Sequence, residues 1–277
     1  MRDWYMEPFV QKDKSYYLIP EWEAKYPNVI AGFTTKHGGF SSDSFESLNM
    51  GFHVDDRKNS VCQNRLILSE KLKFPLEQWV GAEQTHETKI RKVNKSDKGK
   101  GSHDYGDSFK QTDGFYTSES GLLLTLCFAD CVPLYFIAPQ QRIIGAAHAG
   151  WRGTVAGIGR EMISCLSAEG VKPSEVHVAI GPSICEKCYV VDDYVVSHLQ
   201  NKVEDVTKNT YNLIDKNQYQ LNLPKLNKQI LMDAGVLEEN IMSTNLCTSC
   251  NHELFFSHRK DQGTTGRMIS FIGWKEA

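Results

Sequence analysis

"LLLTLCFADCVPLYFIAPQQRIIGAAHAGWRGT", residues 122 to 154, holds three apolar runs separated by two short interruptions. The runs at 122–129, 133–138 and 142–148 are continuous rather than alternating, the pattern of strands covered on both faces. "APQQR" between the second and third runs predicts a tight hairpin and antiparallel pairing. A cysteine and a histidine stand where these runs give way to turn-forming residues. Cys131 lies in a kink between "FAD" and "VP", and Pro133 supports the bend because it cannot donate to a sheet ladder. His148 ends the third run, and Ala149-Gly150-Trp151-Arg152-Gly153 leads into a predicted helix.

Working outward, further strands are predicted at 28–35, 78–84, 88–93, 113–117 and 175–181. Val155, Ile158, Met162, Cys165 and Leu166 recur at helical spacing, giving a helix over 154–168 closed by Gly170 and Pro173. A second amphipathic helix covers 57–72, with Asp55 or Asp56 as its cap. Weaker helical patterns cover 192–200 and 224–234, the latter with Pro224 in its first turn. Segments 94–111 and 200–218 lack periodicity and read as surface loops, the first long and mobile. The pattern is a single domain over 1–277 of the α/β (α+β-like) class with mixed or antiparallel sheets. No GxGxxG opens a helix after a strand and no GxxxxGK[ST] occurs, so the common nucleotide-cofactor folds lose support.

At 277 residues the chain can bury a substantial core. A net charge of −3 argues against a general nucleic-acid binder. No apolar stretch approaches the roughly 18 residues of a membrane span, and "MRDWYMEPFV" lacks a signal-peptide core. A cytoplasmic protein with no membrane or nucleic-acid partner is expected. In a reducing compartment its eight cysteines are core residues, metal ligands or nucleophiles. Cys62 and Cys165, on predicted helices, are expected in the core.

The chemistry-bearing candidates follow from residue type. Arg152 at a helix start offers donors to an anion, although a packed strand-to-helix turn is the plainer alternative. Asp130 beside Cys131 is a carboxylate at the rim of an apolar core and needs a partner or a role. His86 in "GAEQTHETKI" stands between two strand-like runs. Together His86, Cys131 and His148 offer two imidazoles and one thiolate, which suits tetrahedral zinc with one open position. "CEKC" (Cys185, Cys188) and "CTSC" (Cys247, Cys250) compete for metal. Their separation exceeds the about 15 to 20 residues usual for a ribbon, so they either meet in space as a closed structural site or serve packing and pocket lining. "FFSHRKDQGTTGRMIS" sets Arg259, Lys260 and Arg267 around Gly-Thr-Thr-Gly, either a polar hairpin or an anion-holding loop.

"ADCVP" with "HAGWRG", then "IGPSICEKCYVV" and "FFSHRKDQGTTGRM", closely resembles the YfiH/YlmD-type family, long labelled multicopper polyphenol oxidoreductase or laccase-domain proteins. The resemblance runs from "GFTTKHGGFSS" and "LNMGFHVDD…NR" to the C-terminal Gly-Thr-Thr-Gly-Arg. Lys36 departs from it, standing where an Arg usually precedes the Gly-Gly loop. The resemblance implies a layered α/β/β/α fold similar to the catalytic domain of cytotoxic necrotising factors. It also implies phosphorolysis of adenosine, inosine and S-methyl-5'-thioadenosine, with deamination of adenosine. It places the metal on His86, Cys131 and His148, zinc with copper as the alternative. Catalysis then falls to these three and Asp130. Substrate contacts fall to Asn49, Arg65, Arg152, Arg259, Thr264 and Arg267, with a purine nucleoside and phosphate as partners of a monomer or homodimer. Multicopper oxidation is rejected, because the nine histidines include no His-x-His pair. Asp130, Asp113 and Glu83 remain open as acid/base.

Two rival readings stay in play. Cys131 as nucleophile with His148 as base would give an amide hydrolase or deamidase, and the resemblance extends to peptidoglycan amino-acid editing. A non-catalytic metal- or nucleoside-binding protein is the other.

Overall fold

The computed structural model describes residues 7–203 and 209–276. Residues 1–6 of the N-terminal stretch and 204–208 of the predicted 200–218 loop lie outside the described residues. In chain order the strands are β1 (Val10–Asp13), β2 (Tyr16–Leu18), β3 (Val29–Thr34), β4 (Trp79–Val80) and β5 (Ile90–Lys92). Next come β6 (Gly114–Thr117), β7 (Leu122–Phe128), β8 (Val132–Ala138), β9 (Ile143–Ala149) and β10 (His177–Ile180). The last are β11 (Val190–Asp192), β12 (Tyr211–Asp215), β13 (Gln218–Leu221), β14 (Ile241–Ser243) and β15 (Met268–Trp274). The helices are α1 (Pro20–Lys25), α2 (Lys58–Leu72), α3 (Trp151–Ala156), α4 (Ile158–Ala168), α5 (Asp193–Val203) and α6 (Leu223–Asp233).

Two six-stranded sheets form the centre, ordered β1-β2-β3-β15-β7-β4 and β14-β10-β8-β9-β6-β5. Both are mixed: β4 runs parallel to β7, β5 to β6 and β14 to β10, and the remaining pairs are antiparallel. A small antiparallel sheet, β11-β13-β12, stands apart. The hairpin predicted at "APQQR" joins β8 and β9 as expected.

Side-chain alternation explains why the central runs are apolar throughout. Leu124 and Phe128 of β7 meet Tyr135 of β8 and Ile144 of β9 between the sheets. The opposite faces are covered too. Leu123 packs under Leu68 and Leu72 of α2, whereas Leu134 and Phe136 pack under Met162 of α4 and Ile230 of α6. The result is an α/β/β/α stack. A bond across the two sheets runs from Tyr135 Oη to the Gly32 carbonyl at 2.8 Å. Gly32 must lack a side chain, because a Cβ there would sit 2.2 Å from the Tyr17 carbonyl oxygen and 2.5 Å from Phe271 Cζ.

Several local expectations change. The helix predicted over 154–168 begins at Trp151 and breaks at Gly157, whose φ of 92° ends α3 and starts α4 at a new angle. Neither Asp55 nor Asp56 caps α2. Arg57 holds the cap position, and Asp56 instead accepts bonds from Ser41 Oγ, Asn49 Nδ2 and the Arg57 N–H. The 94–111 segment is pinned rather than free. Asn94 and Asp97 form a capping box, and the Gly101 and Ser102 carbonyls accept from Arg65. The 200–218 segment carries β12. Cys62 and Cys165 are half-buried, not core. β15, buried at every position, was not anticipated. Among the described residues no helix is long and apolar enough to cross a membrane.

Tyr135→Phe removes only the cross-sheet hydroxyl. We expect a loss of about 1 kcal/mol, read as a lower urea midpoint at unchanged slope. An unmoved midpoint would mean the bond contributes nothing net.

Candidate metal centre and its pocket

One end of the second sheet assembles the centre by register alone. Val132 pairs with Ala149 and Pro133 with His148, so Cys131, one residue before β8, lands beside the end of β9. On the other flank Gly114 pairs with Ala147, which sets Asp113 beside His148, and the His148 N–H donates to the Asp113 carbonyl at 2.7 Å. β5 runs parallel to β6 with Ile90 opposite Gly114, placing the preceding loop, residues 85–87, over Asp113.

Asp113 organises that loop. Its carboxylate has no exposure. It accepts the backbone N–H groups of Thr85, His86 and Glu87, each at 3.0 Å, and lies 2.9 Å from His148 Nδ1. The loop turns through a left-handed His86, φ 63°. The ligand atoms of His86, Cys131 and His148 all come within 4.8 Å of one another. The two imidazoles meet edge-on with centroids 4.7 Å apart. Gly150 closes over them, and a Cβ there would lie 3.0 Å from both Cys131 Sγ and His86 Cδ2.

Burial and charge work against each other in this cluster. Burial pushes the Cys131 thiol up, but the adjacent His148 and hydrogen bonds from both imidazoles outweigh it and bring it down to about 6. Burial likewise disfavours the His148 imidazolium, yet Cys131 and Asp113 raise it to about 9. For Asp113, burial is overcome by His148 and the N–H donors, which hold the carboxyl below its ordinary range.

The three donors line a cavity of about 370 Å³ shared with His53, Gln84, Tyr105, Tyr189, Arg259 and Arg267. Gln84 is fixed by a reciprocal pair of bonds to the Cys127 backbone. Burial, with Arg267 and Arg65 nearby, lowers His53 to about 4, so its ring is neutral at pH 7. His53 also stacks near Tyr105, ring centroids 5.8 Å apart.

The other predicted site residues separate into groups. Arg259 and Arg267 line the cavity. Arg259 uses Nη1 on the Val190 carbonyl and lies over the Tyr189 ring, and Arg267 uses Nη1 on the Thr265 and Gly266 carbonyls. Asp130 also lines it, but both its oxygens are engaged, by Thr248 Oγ1 at 2.6 Å and the Arg259 N–H at 2.7 Å. It therefore holds the Arg259 loop. Asn49 lies beneath the cavity, where Oδ1 accepts the Arg267 N–H at 2.8 Å. Arg65 is buried against the Met50, Gly101 and Ser102 carbonyls, outside the lining of this cavity and in that of a small one beside it that shares His53, Gln84 and Tyr105. Thr264 borders a different cavity with Lys36 and His37, and Arg152 a third with Tyr194 and His198. Glu83 is paired with Lys110. His53, Tyr105, Tyr189 and His258 were not singled out. His53 sat within "LNMGFHVDD", a stretch noted for the resemblance, whereas Tyr105 lay in a segment whose polarity pointed to solvent.

Two substitutions separate the centre from its scaffold. Asp113→Asn replaces an acceptor of five donors by an amide that repels some of them. We expect a loss of about 2–4 kcal/mol in unfolding free energy and about 10–100-fold weaker metal retention in chelator competition. Arg65→Ala strands three buried carbonyls, and about 3 kcal/mol should be lost. A variant of Arg65 with wild-type stability and only a raised KM would return it to the substrate contacts.

The sequence matches the family described as "Multi-copper polyphenol oxidoreductase laccase" over residues 30–275. It is 47% identical over 274 residues to a Bacillus subtilis (strain 168) protein named purine nucleoside phosphorylase YlmD, covering 98% of each chain. It is 48% identical over 252 residues to the protein of the same name from Geobacillus stearothermophilus, covering 91% of this chain and 92% of the relative. The crystal structure of YlmD from Geobacillus stearothermophilus superposes with a TM-score of 0.94 at 46% identity, over 98% of this chain and 100% of that one.

Proposed function

The chain belongs to the family described as multi-copper polyphenol oxidoreductase laccase, and from that premise we propose that it is a zinc-dependent purine nucleoside phosphorylase. The substrates proposed are adenosine, inosine and S-methyl-5'-thioadenosine, with adenosine deamination as a second activity. The observation that carries the reading is the convergence of His86, Cys131 and His148 in a cavity that also holds two arginines. The relatives' name supplies the substrate class.

The residues fit a single zinc ion. Asp113 takes His148 Nδ1 and leaves Nε2 as the donor, the outer-shell arrangement common to metal-bound histidine. One thiolate and two imidazoles suit one borderline-soft cation with an open position, and they fall far short of a multicopper set. When bound, zinc supplies Lewis-acid polarisation to whichever group occupies that position.

The chain's own groups account for the remainder. In phosphorolysis a phosphate oxygen bonds to the anomeric carbon while the carbon–nitrogen bond to the purine breaks and its electron pair leaves with the base. Arg259 and Arg267 hold the phosphate, because each spends only Nη1 on backbone carbonyls and keeps its other guanidinium nitrogens without side-chain hydrogen-bond partners among the described residues. Neutral His53 offers the base a ring donor or acceptor, and Tyr105 beside it an aromatic face.

A second reading has its own support. Cys131, His148 and Asp113 align as thiolate, imidazolium and carboxylate, the arrangement of an amide hydrolase or deamidase. Alkylation separates the two. Stoichiometric zinc that shields Cys131 favours the phosphorylase, and rapid alkylation of a metal-free native protein favours the hydrolase.

The deciding experiment is product analysis of adenosine with and without phosphate. Adenine and ribose 1-phosphate should appear only with phosphate, inosine regardless of it. Cys131→Ala should lower kcat/KM about a thousand-fold, several kcal/mol of transition-state stabilisation. Equal rates for variant and wild type would place the chemistry elsewhere, and tight nucleoside binding without turnover would leave a binding protein.

A further inference from the structure

Cys185, Cys188, Cys247 and Cys250 come together away from the cavity just described, with all four Sγ atoms within 4.8 Å of one another. Cys185 and Cys188 bracket a single 3-10 turn, in which the Cys188 and Tyr189 N–H groups donate to the Cys185 carbonyl. Cys247 and Cys250 bracket a second turn, closed by Asn251 donating to the Cys247 carbonyl through both N–H and Nδ2. The two segments are stitched by the bridge between Ser183 and Cys247.

Three observations fit a single metal ion among these sulfurs. The sulfurs of Cys185 and Cys250 are 3.8 Å apart and those of Cys188 and Cys250 3.4 Å. Zinc–sulfur bonds of about 2.3 Å in a tetrahedron set neighbouring sulfurs about 3.8 Å apart, so the spacing suits one ion. Cys247 Sγ accepts the backbone N–H groups of Cys185 at 3.2 Å and Cys250 at 3.3 Å. Such donors stabilise a thiolate more than a thiol, whose sulfur is only a weak acceptor. Finally, Lys187 and Lys225 border the same recess as Cys185, Cys247 and Cys250, against one carboxylate, Glu186, while Lys228 is paired with Glu238, and the excess of cations offsets part of the net negative charge of four thiolates around a divalent ion.

We propose that these four cysteines form a second metal site, a closed tetrathiolate centre that binds one structural zinc ion. It clamps the two segments that position Asp130. The Ile184 N–H donates to the Asp130 carbonyl at 2.9 Å, and Thr248, next to Cys247, donates to its carboxylate. Tyr189, one residue past Cys188, is part of the cavity wall. The site does not depend on the activity assigned above.

Metal content tests it. Wild-type protein purified without added chelator should carry two zinc equivalents per chain by elemental analysis, Cys131→Ala one, and the Cys188→Ser/Cys250→Ser double variant one. Should the double variant fail to fold, cobalt substitution of Cys131→Ala gives the answer in a protein with all four cysteines intact. A tetrahedral cobalt spectrum with intense sulfur-to-metal charge transfer is expected, and a mercurial reagent should release the ion as the four thiols react. A metal-free Cys131→Ala whose four cysteines alkylate like free thiols would overturn the site. Iron in place of zinc in native protein would overturn the zinc assignment. Two equivalents of zinc with no phosphorolysis would leave this site standing and sink only the activity.

Discussion

The Asp113 carboxylate is the interaction on which the centre depends. A fully buried ionised carboxylate costs several kcal/mol to desolvate unless its lone pairs are met. Here five donors meet them: three consecutive backbone N–H groups, the Thr85 hydroxyl and one imidazole nitrogen. Charge-assisted bonds of this kind contribute about 1.5–3 kcal/mol each, enough to offset the burial and to hold a loop that has no strand ladder of its own. The same carboxylate fixes which nitrogen of His148 faces the cluster and where His86 stands. It therefore controls two of the three donors from outside the cavity wall.

The third donor is placed from the opposite side. Cys131 follows Asp130, whose left-handed backbone, φ 85°, makes the kink read in the sequence between the two apolar runs. Asp130 is anchored at carbonyl and carboxylate by segments that end in the two cysteine turns and by the backbone of Arg259. One carboxylate aligns the histidines and another aligns the thiol and the Arg259 backbone. Between them the sandwich core supplies rigidity, since β8 and β9 are packed on both faces and cannot slip without exposing every buried side chain.

What could be read beforehand follows the same division. Continuous apolar runs disclose strands covered on both sides, and residues where such runs stop are placed at sheet ends, so His86, Cys131 and His148 were accessible. Asp113 was one of three unranked carboxylates, because its rank depends on the register of β6 against β9, which sequence spacing does not encode. β15 was hidden behind the glycine-rich loop before it. Arg65 entered as a substrate contact through the resemblance, not through a pattern of its own. Its actual partners are three carbonyls supplied by loops that are distant in sequence. The polar 94–111 segment misled for the same reason, since its polar backbone satisfies that buried arginine rather than water.

Whether Cys131 grips a cation or attacks a carbonyl turns on His86. A nucleophilic cysteine needs one imidazole, and His148 with Asp113 behind it already fills that role. A second imidazole brought against the same sulfur adds nothing to that chemistry and crowds the approach of a substrate. Yet the fold maintains it at a cost. A non-glycine residue in the left-handed region carries backbone strain of order 1 kcal/mol, sustained here by hydrogen bonds from three successive amides. Gly150 is also kept bare so that the His86 ring and the sulfur can approach. Strain and space spent on a second imidazole are explained by a cation shared among three donors, and a thiolate–imidazolium pair acting alone leaves both without a purpose.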